Sequence, residues 1–186
     1  MRAAALVVFH LLVATATVEA QTTPRWSLGG TLFGVTYASE SESVDAGLPG
    51  GGPLMFSGAS GVRAAPEIYA GFFPHPNIVV APGIALAYSS PDVGESRYGL
   101  GFSLSIEWHL SSVARNSFYA AANGAFLTWD PGATGTQTDF TAGGALGYRF
   151  LPYGFFGLRL EGVYRRYFDV KENQITGVIK AEVIFR

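Results

Sequence analysis

The chain has 186 residues, of which 12 are Lys or Arg, 14 are Asp or Glu, 24 are Gly and none is Cys. An apolar content of 48% beside a charged content of 14% excludes a disordered chain, and the net charge of −2 argues against a nucleic-acid-binding protein. With three His and no Cys, the sequence predicts no disulfide scaffold, no metal site and no cofactor.

The first twenty residues have the organisation of a secretory signal peptide. Arg2 precedes an apolar run from Ala3 to Val13, and Val18-Glu19-Ala20 places small residues where a signal peptidase requires them. The run is too short for a membrane-spanning helix, which needs about 20 residues. We predict a signal peptide over 1–20, removed on export, and one domain over 21–186.

Eight segments of the remaining chain alternate between two classes of side chain with a period of two, as β-strands do. Tyr98–Leu110 is the clearest, because its even positions are large and apolar while its odd positions are small or polar. Each segment has about 10–13 residues, close to the length with which a tilted strand crosses a bilayer. The segments are 26–37, 62–73, 78–88, 98–110, 118–129, 140–150, 156–168 and 175–185. The facing of 26–37 and 118–129 stays open, although Asn123 indicates that the odd side of the latter is internal.

The distribution of side chains is the reverse of that in a soluble barrel. The small face carries the charges and fits the narrow interior of an eight-stranded barrel, whereas the bulky apolar face suits lipid. A closed barrel leaves no unpaired strand edge in lipid. We therefore predict an all-β protein, a closed eight-stranded antiparallel up-and-down transmembrane β-barrel. Its predicted inward ionisable residues are Arg63, Glu67, Glu107, His109, Arg149, Arg159, Glu161, Arg165, Lys180 and Glu182.

A salt-bridge network is predicted among seven of these residues, because each charge in a narrow interior needs a partner. A register that pairs Glu161 with Lys180 also pairs Arg159 with Glu182. Cross-strand pairs of opposite charge stabilise a sheet by about 0.2–1 kcal/mol each. We predict that the network closes the lumen, with a gated ion path of exchangeable salt bridges as the alternative. The network comprises Glu67, Glu107, Arg149, Arg159, Glu161, Lys180 and Glu182.

Long acidic connections alternate with short turns, as in outer-membrane barrels. The longest, 38–60, is a candidate binding surface for an extracellular ligand. Aromatic residues collect near both ends of the segments, as they do at membrane–water interfaces. One predicted belt comprises Trp26, Phe72, Phe73, Trp108, Phe118, Phe150, Phe155, Phe156 and Phe185, and the other comprises Tyr37, Tyr88, Tyr98, Trp129, Phe140, Tyr164 and Phe168.

These features together resemble the small eight-stranded outer-membrane barrels of the OmpA/OmpX-like class, over residues 25–186. The last segment is similar to the terminal strand that such proteins present to the barrel-assembly machinery, although Arg186 follows the final aromatic residue. The resemblance implies an outer-membrane protein with a structural or surface-interaction role. It also implies contact with outer-membrane lipid and lipopolysaccharide, and with periplasmic chaperones during biogenesis. The assembly signal would comprise Ile179, Ala181, Val183 and Phe185.

Two other functions are weighed against this interpretation. A soluble exported binder of the lipocalin type would hold an apolar ligand, and it requires the large apolar face to point inward. A lipid A-modifying enzyme is the other, since His109-Leu110-Ser111 is similar to the His and Ser of PagL-type deacylases. No Asn follows Ser111 as it does in that family, and His109 has the inward parity near the predicted periplasmic end. We therefore predict a protein that is not an enzyme.

Overall fold

The structure, a computed structural model, describes residues 26–39, 43–47, 55–56, 63–64, 66–89, 97–130, 135–169 and 171–185. The predicted signal peptide and most of the connection 38–60 lie outside these residues. The strands are β1 Trp26–Ala38, β2 Ser43–Gly47, β3 Met55–Phe56, β4 Arg63–Ala64, β5 Glu67–His75, β6 Ile78–Ser89, β7 Arg97–His109, β8 Ser117–Asp130, β9 Gln137–Tyr153, β10 Phe156–Tyr167 and β11 Asn173–Phe185.

No helix in these described ranges is long and apolar enough to cross a membrane.

Eight of the strands form a closed antiparallel barrel. Strands β5 to β11 pair in chain order, β5 pairs with β1, and β1 also pairs with β11, which closes the sheet on itself. The closing pair runs from Trp26 opposite Phe185 to Ala38 opposite Gln174. The predicted fold class is therefore confirmed.

The second predicted segment, 62–73, is wrong at its beginning. The barrel strand β5 starts only at Glu67, whereas Arg63 pairs with Phe56 in the separate ribbon of β3 and β4. The second half of β1 pairs with β2 instead of β5, from Gly34 opposite Gly47 to Ala38 opposite Ser43. The prediction that Arg63 belongs to an inward strand face is therefore wrong, because the chain enters the barrel after it.

Bulky apolar side chains point outward and charged ones inward, as predicted. In β7, Leu104 and Trp108 are 47% and 49% exposed, while Glu107 and His109 are 2% and 1% exposed. In β8, where the facing was open, Tyr119 and Leu127 are buried, so the odd side is internal. This facing is the opposite of what a lipocalin-type binder requires.

A β-bulge in β1 explains why its alternation could not be read. Thr31 is opposite Lys180 and Phe33 is opposite Ile179, so Leu32 is an extra residue. An extra residue shifts the parity of the strand that follows it. Outward residues are even-numbered before the bulge, as at Leu28, and odd-numbered after it, as at Val35.

Exposed aromatic rings lie at both ends of the barrel, with two exceptions to the predicted belts. We call the end that carries the connections 76–77, 110–116 and 154–155 the turn end, and the opposite end the loop end. At the turn end Phe73 packs inward against buried Tyr69, and at the loop end Trp129 packs against a buried cluster that includes Leu127. Both have odd numbers in strands whose odd positions face the interior, so their predicted place in the belts is wrong.

Substitution of Gly143 by Ala is expected to destabilise the barrel by about 1–3 kcal/mol through overpacking. A Cβ atom at Gly143 would overlap the backbone carbonyl oxygen of Tyr164 on the neighbouring strand, which cannot move without breaking the ladder. Gly177→Ala is the matched control, since a Cβ atom there meets no atom within 4 Å. Urea unfolding of the folded barrel in detergent measures both, and equal stability of the two variants would contradict this close approach.

Candidate functional site in the barrel interior

A chain of ion pairs crosses the middle of the barrel, with Arg159 at its centre. The Arg159 guanidinium donates to Glu107 on β7, and its Nη2 lies 3.2 Å from Glu161 Oε1. Glu107 in turn lies 3.1 Å from His109 Nε2. All four side chains are at most 5% exposed, so the charges neutralise one another away from solvent.

The same chain continues toward β5 through Lys180. Lys180 Nζ lies 3.0 Å from Glu161 Oε2 and 3.5 Å from Glu67 Oε2. The Ser103 hydroxyl donates to the other oxygen of Glu67, and the Glu67 amide donates to Thr31 Oγ1 at 2.9 Å. The ion pairs therefore connect strands on opposite sides of the barrel, which the backbone ladders do not.

A second ion pair lies nearer the turn end. Arg149 Nε donates to Glu182, and Arg149 Nη1 donates to the Val113 carbonyl oxygen at 2.9 Å. Arg159 Nη1 lies 3.9 Å from Glu182 Oε2, which brings this pair next to the central chain. The structure thus places together all seven residues of the predicted network.

Tyrosines are part of this arrangement, and the sequence did not single out Tyr119. Its hydroxyl donates to Glu161 Oε1 at 2.5 Å and accepts from Arg159 Nε at 3.2 Å. Its ring occupies the space that a Cβ atom at Gly147 would need. Tyr119 shares the parity of Asn123, and a glycine lies opposite it in the ladder. The parity shared with Asn123 was the available signal, since the glycine opposite Tyr119 is known only from the register.

The register between β10 and β11 differs from the predicted one by two residues. Arg159 is opposite Lys180, and Glu161 is opposite Val178. The predicted direct pairing of Glu161 with Lys180 is therefore wrong, and these side chains meet diagonally. Diagonal neighbours are within reach of long side chains, so Glu161 and Lys180 form an ion pair in the observed register as well.

Space left between these side chains is small. A cavity of about 30 Å³ lies toward the loop end and is lined in part by Asn123, Glu161, Arg165 and Lys180. About 10–15 Å³ is needed for one water molecule, so the cavity suits water and is far too small for a solute. Arg165, which lines the cavity, also donates through Nη1 to Gln174 Oε1 at 3.2 Å.

His109 and Ser111 do not face each other as a catalytic pair. His109 Nε2 is directed at Glu107, and its ring stacks on Tyr119 with a centroid distance of 4.8 Å. The Ser111 hydroxyl donates to the carbonyl oxygen of Asn116 at 3.1 Å. No group of three or more His, Asp or Glu residues in the described ranges is placed to hold a metal ion.

Asp139 lies in β9, near the loop end of the barrel. It is fully buried, and its Oδ1 accepts from the backbone N–H groups of Phe140 at 2.6 Å, Phe168 at 3.1 Å and Asp169 at 2.9 Å. One carboxylate thus joins the loop end of β9 to the connection after β10.

Asp139→Ala is expected to loosen the loop end. It removes the acceptor of the Asp169 amide, which costs about 1–3 kcal/mol where that amide stays buried, and it leaves the Phe168 amide with the Phe140 carbonyl oxygen alone. Hydrogen exchange of those amides is expected to accelerate, together with lower resistance to urea. Asp169→Ala removes the same charge from an exposed neighbour and serves as the control. Unchanged exchange in Asp139→Ala would contradict the joining role.

The predicted assembly residues alternate on the outer face of β11. Ile179, Val183 and Phe185 are 39%, 43% and 36% exposed, and the Phe185 ring stacks on Trp26 with centroids 3.8 Å apart. Ala181 lies between them, opposite Gly30 of β1. Their role as an assembly signal stays a prediction.

Comparison with solved structures identifies the same fold in outer-membrane proteins. Neisserial surface protein A superposes with a TM-score of 0.59 at 12% identity, covering 86% of this chain and 97% of that one. This chain has the fold of the small outer-membrane β-barrels. The attachment invasion locus protein Ail of Yersinia pestis, in complex with the heparin analogue sucrose octasulfate, gives a TM-score of 0.55 at 11% identity and covers 88% of this chain and 100% of that one. OprG from Pseudomonas aeruginosa gives 0.51 at 9% identity, with 89% and 98% covered. No protein-family model and no curated sequence matches the chain.

Proposed function

We propose that this protein is a non-enzymatic outer-membrane barrel that presents its long loops at the cell surface. The observation that carries the proposal is the reversed facing of a closed barrel. Large side chains such as Ile68 and Leu160 are each 61% exposed on the outside, while Arg159 and Glu161 are 3% and 5% exposed inside. Water does not favour that apolar outer surface, whereas lipid does.

The barrel would be oriented with its turn end in the periplasm. Outer-membrane barrels have short periplasmic turns and longer outer loops, and the connections 76–77 and 154–155 are short turns. The loop end would carry the connection 38–60, whose Glu40, Glu42 and Asp45 make it acidic. An acidic surface repels polyanions. We therefore propose a neutral or basic partner for this chain, and not a sulfated ligand such as the one bound to Ail.

A structural role of the interior is the second part of the proposal. The ion pairs around Arg159 cross the barrel, and the cavity beside them has a volume of only about 30 Å³. We infer that the network closes the lumen, which disfavours the gated ion path. For the lipid A-modifying alternative, the separate partners of His109 and Ser111 support a protein that is not an enzyme.

The proposed partners follow from the location. The outer face would contact outer-membrane lipid and lipopolysaccharide, and the alternating outer residues of β11 would be recognised by the barrel-assembly machinery. Periplasmic chaperones would hold the unfolded chain before insertion, since an apolar outer face is exposed until lipid covers it.

Surface labelling of single cysteines tests this proposal, because the chain has no native cysteine. Thr136→Cys lies at the loop end and Arg115→Cys at the turn end, and both residues are exposed. On intact cells, a membrane-impermeant maleimide is expected to label Thr136→Cys, and to label Arg115→Cys only after the outer membrane is permeabilised. Labelling of both or neither on intact cells would overturn the proposed location, and the reverse pattern would overturn the orientation.

A further inference from the structure

The connection between β7 and β8 folds into the barrel instead of away from it. We call residues 110–116 the inward turn. Val113, in the middle of this connection, is fully buried. It packs with Tyr69, Val79 and Ala81, three inward residues of β5 and β6, and Phe73 covers the same cluster. An apolar side chain from a surface connection therefore occupies the mouth of the barrel.

Backbone hydrogen bonds hold the inward turn in this position. The Val113 amide donates to the Pro76 carbonyl oxygen of the neighbouring turn at 2.7 Å, and the Arg115 amide donates to Ser112 at 2.9 Å. Asn116 Oδ1 accepts from the Leu151 amide at 2.7 Å on the other side. The inward turn is thus attached to the turn 76–77 on one side and to the end of β9 on the other.

Arg149 attaches the inward turn to the interior charges. One guanidinium edge donates to the Val113 carbonyl oxygen at 2.9 Å, and Nε donates to Glu182. The guanidinium also lies 5.2 Å from the centroid of the Phe73 ring. The same side chain therefore contacts the turn, the apolar cluster and the ionic network.

The interior of the barrel contains buried polar atoms that water would bind. Ser27 Oγ, Tyr69 OH, His109 Nδ1, Arg149 Nη2 and Glu182 Oε2 are buried and have no hydrogen-bond partner among the described residues. Water would satisfy such atoms, so they favour the entry of water, and the burial of the Val113 cluster opposes it.

We propose that the inward turn seals the turn-end mouth of the barrel. The Val113 side chain fills the mouth, and Arg149 holds the turn in place through its hydrogen bond to the Val113 carbonyl oxygen. In the proposed orientation, the turn separates the interior charges from the periplasm. The sealing itself does not depend on the cellular location, so it is tested on the purified protein and its failure leaves the proposed function standing.

The accessibility of a thiol in the Val113 cluster tests the proposed seal. Ala81→Cys places a thiol in the Val113 cluster, and Arg115→Cys supplies a solvent-exposed reference. The folded protein in detergent micelles is treated with methyl methanethiosulfonate, and modification is followed by mass spectrometry. Ala81→Cys is expected to react slowly, and adding Val113→Gly is expected to raise its rate about tenfold or more, since the rate follows the open population. Arg149→Met is expected to raise it as well.

Two controls separate an open mouth from a loosened barrel. Leu110→Ala removes an aliphatic side chain of the same connection that is 74% exposed, and it should leave the Ala81→Cys rate unchanged. Ala125→Cys reports on the loop-end half of the interior, and it should not react faster with Val113→Gly. If Ala81→Cys reacts as fast as Arg115→Cys in the unaltered chain, or if Val113→Gly does not accelerate it, the turn is not the seal. If Val113→Gly accelerates the reaction of Ala81→Cys and Arg149→Met does not, Arg149 does not hold the turn in place.

Discussion

Leu104→Arg is expected to prevent stable insertion of the barrel into the outer membrane. Leu104 lies midway along β7 on the outer face and is 47% exposed. An arginine that faces lipid near the bilayer midplane costs about 2–4 kcal/mol. The measurement is the amount of folded, membrane-embedded protein in cells, with the free energy of unfolding in lipid vesicles as the quantitative value.

Tyr98→Arg is the control for this substitution. Tyr98 lies on the same strand and face but at the loop end, and it is 50% exposed. Near the membrane interface the cost of an arginine falls to about 0–1 kcal/mol, so this variant should insert. Normal insertion of both variants would contradict a lipid-facing outer surface, because an aqueous surface tolerates either arginine.

Arg159→Met is expected to destabilise the folded barrel by about 3–5 kcal/mol, the cost of leaving buried charges without their partner. The variant keeps much of the apolar volume of the side chain but removes the guanidinium that Glu107 and Glu161 share. Urea unfolding in detergent, followed by tryptophan fluorescence, gives the free energy.

A double variant and a control make this prediction specific to charge. Adding Glu107→Gln to Arg159→Met removes one orphaned carboxylate and is expected to restore about 0.5–3 kcal/mol, the usual range of coupling between contacting residues. Arg166→Met, which removes a half-buried arginine at the loop end of the same strand, should cost less than about 1 kcal/mol. Stability that is unchanged in Arg159→Met would contradict a structural role for the network.

The facing of the strands could be predicted because it depends only on a period of two. The parity of Glu107, Arg159 and Lys180 identified the interior without knowledge of any neighbour. Register could not be predicted in the same way, since a shift of two residues leaves every side chain on its face. That is why the partners Glu161 and Lys180 were identified while their direct opposition was wrong.

Features that break the period were not accessible from sequence. The extra residue at Leu32 inverts the parity within β1, so no single alternation describes that strand. Arg63 and Ala64 continue a weak alternation ahead of Glu67 but pair with β3 outside the barrel. Val113 reads as an ordinary turn residue, and only the three-dimensional arrangement of β5 and β6 shows that it enters the mouth.

Cell fractionation followed by electrophoresis without and with boiling tests the central claim most directly. We expect the mature protein in the outer-membrane fraction, as a species that migrates differently in SDS until it is boiled, because a closed barrel whose strands all pair resists SDS. A water-soluble periplasmic protein without this heat-dependent shift would contradict the account, since the apolar outer face would then have no lipid to cover it.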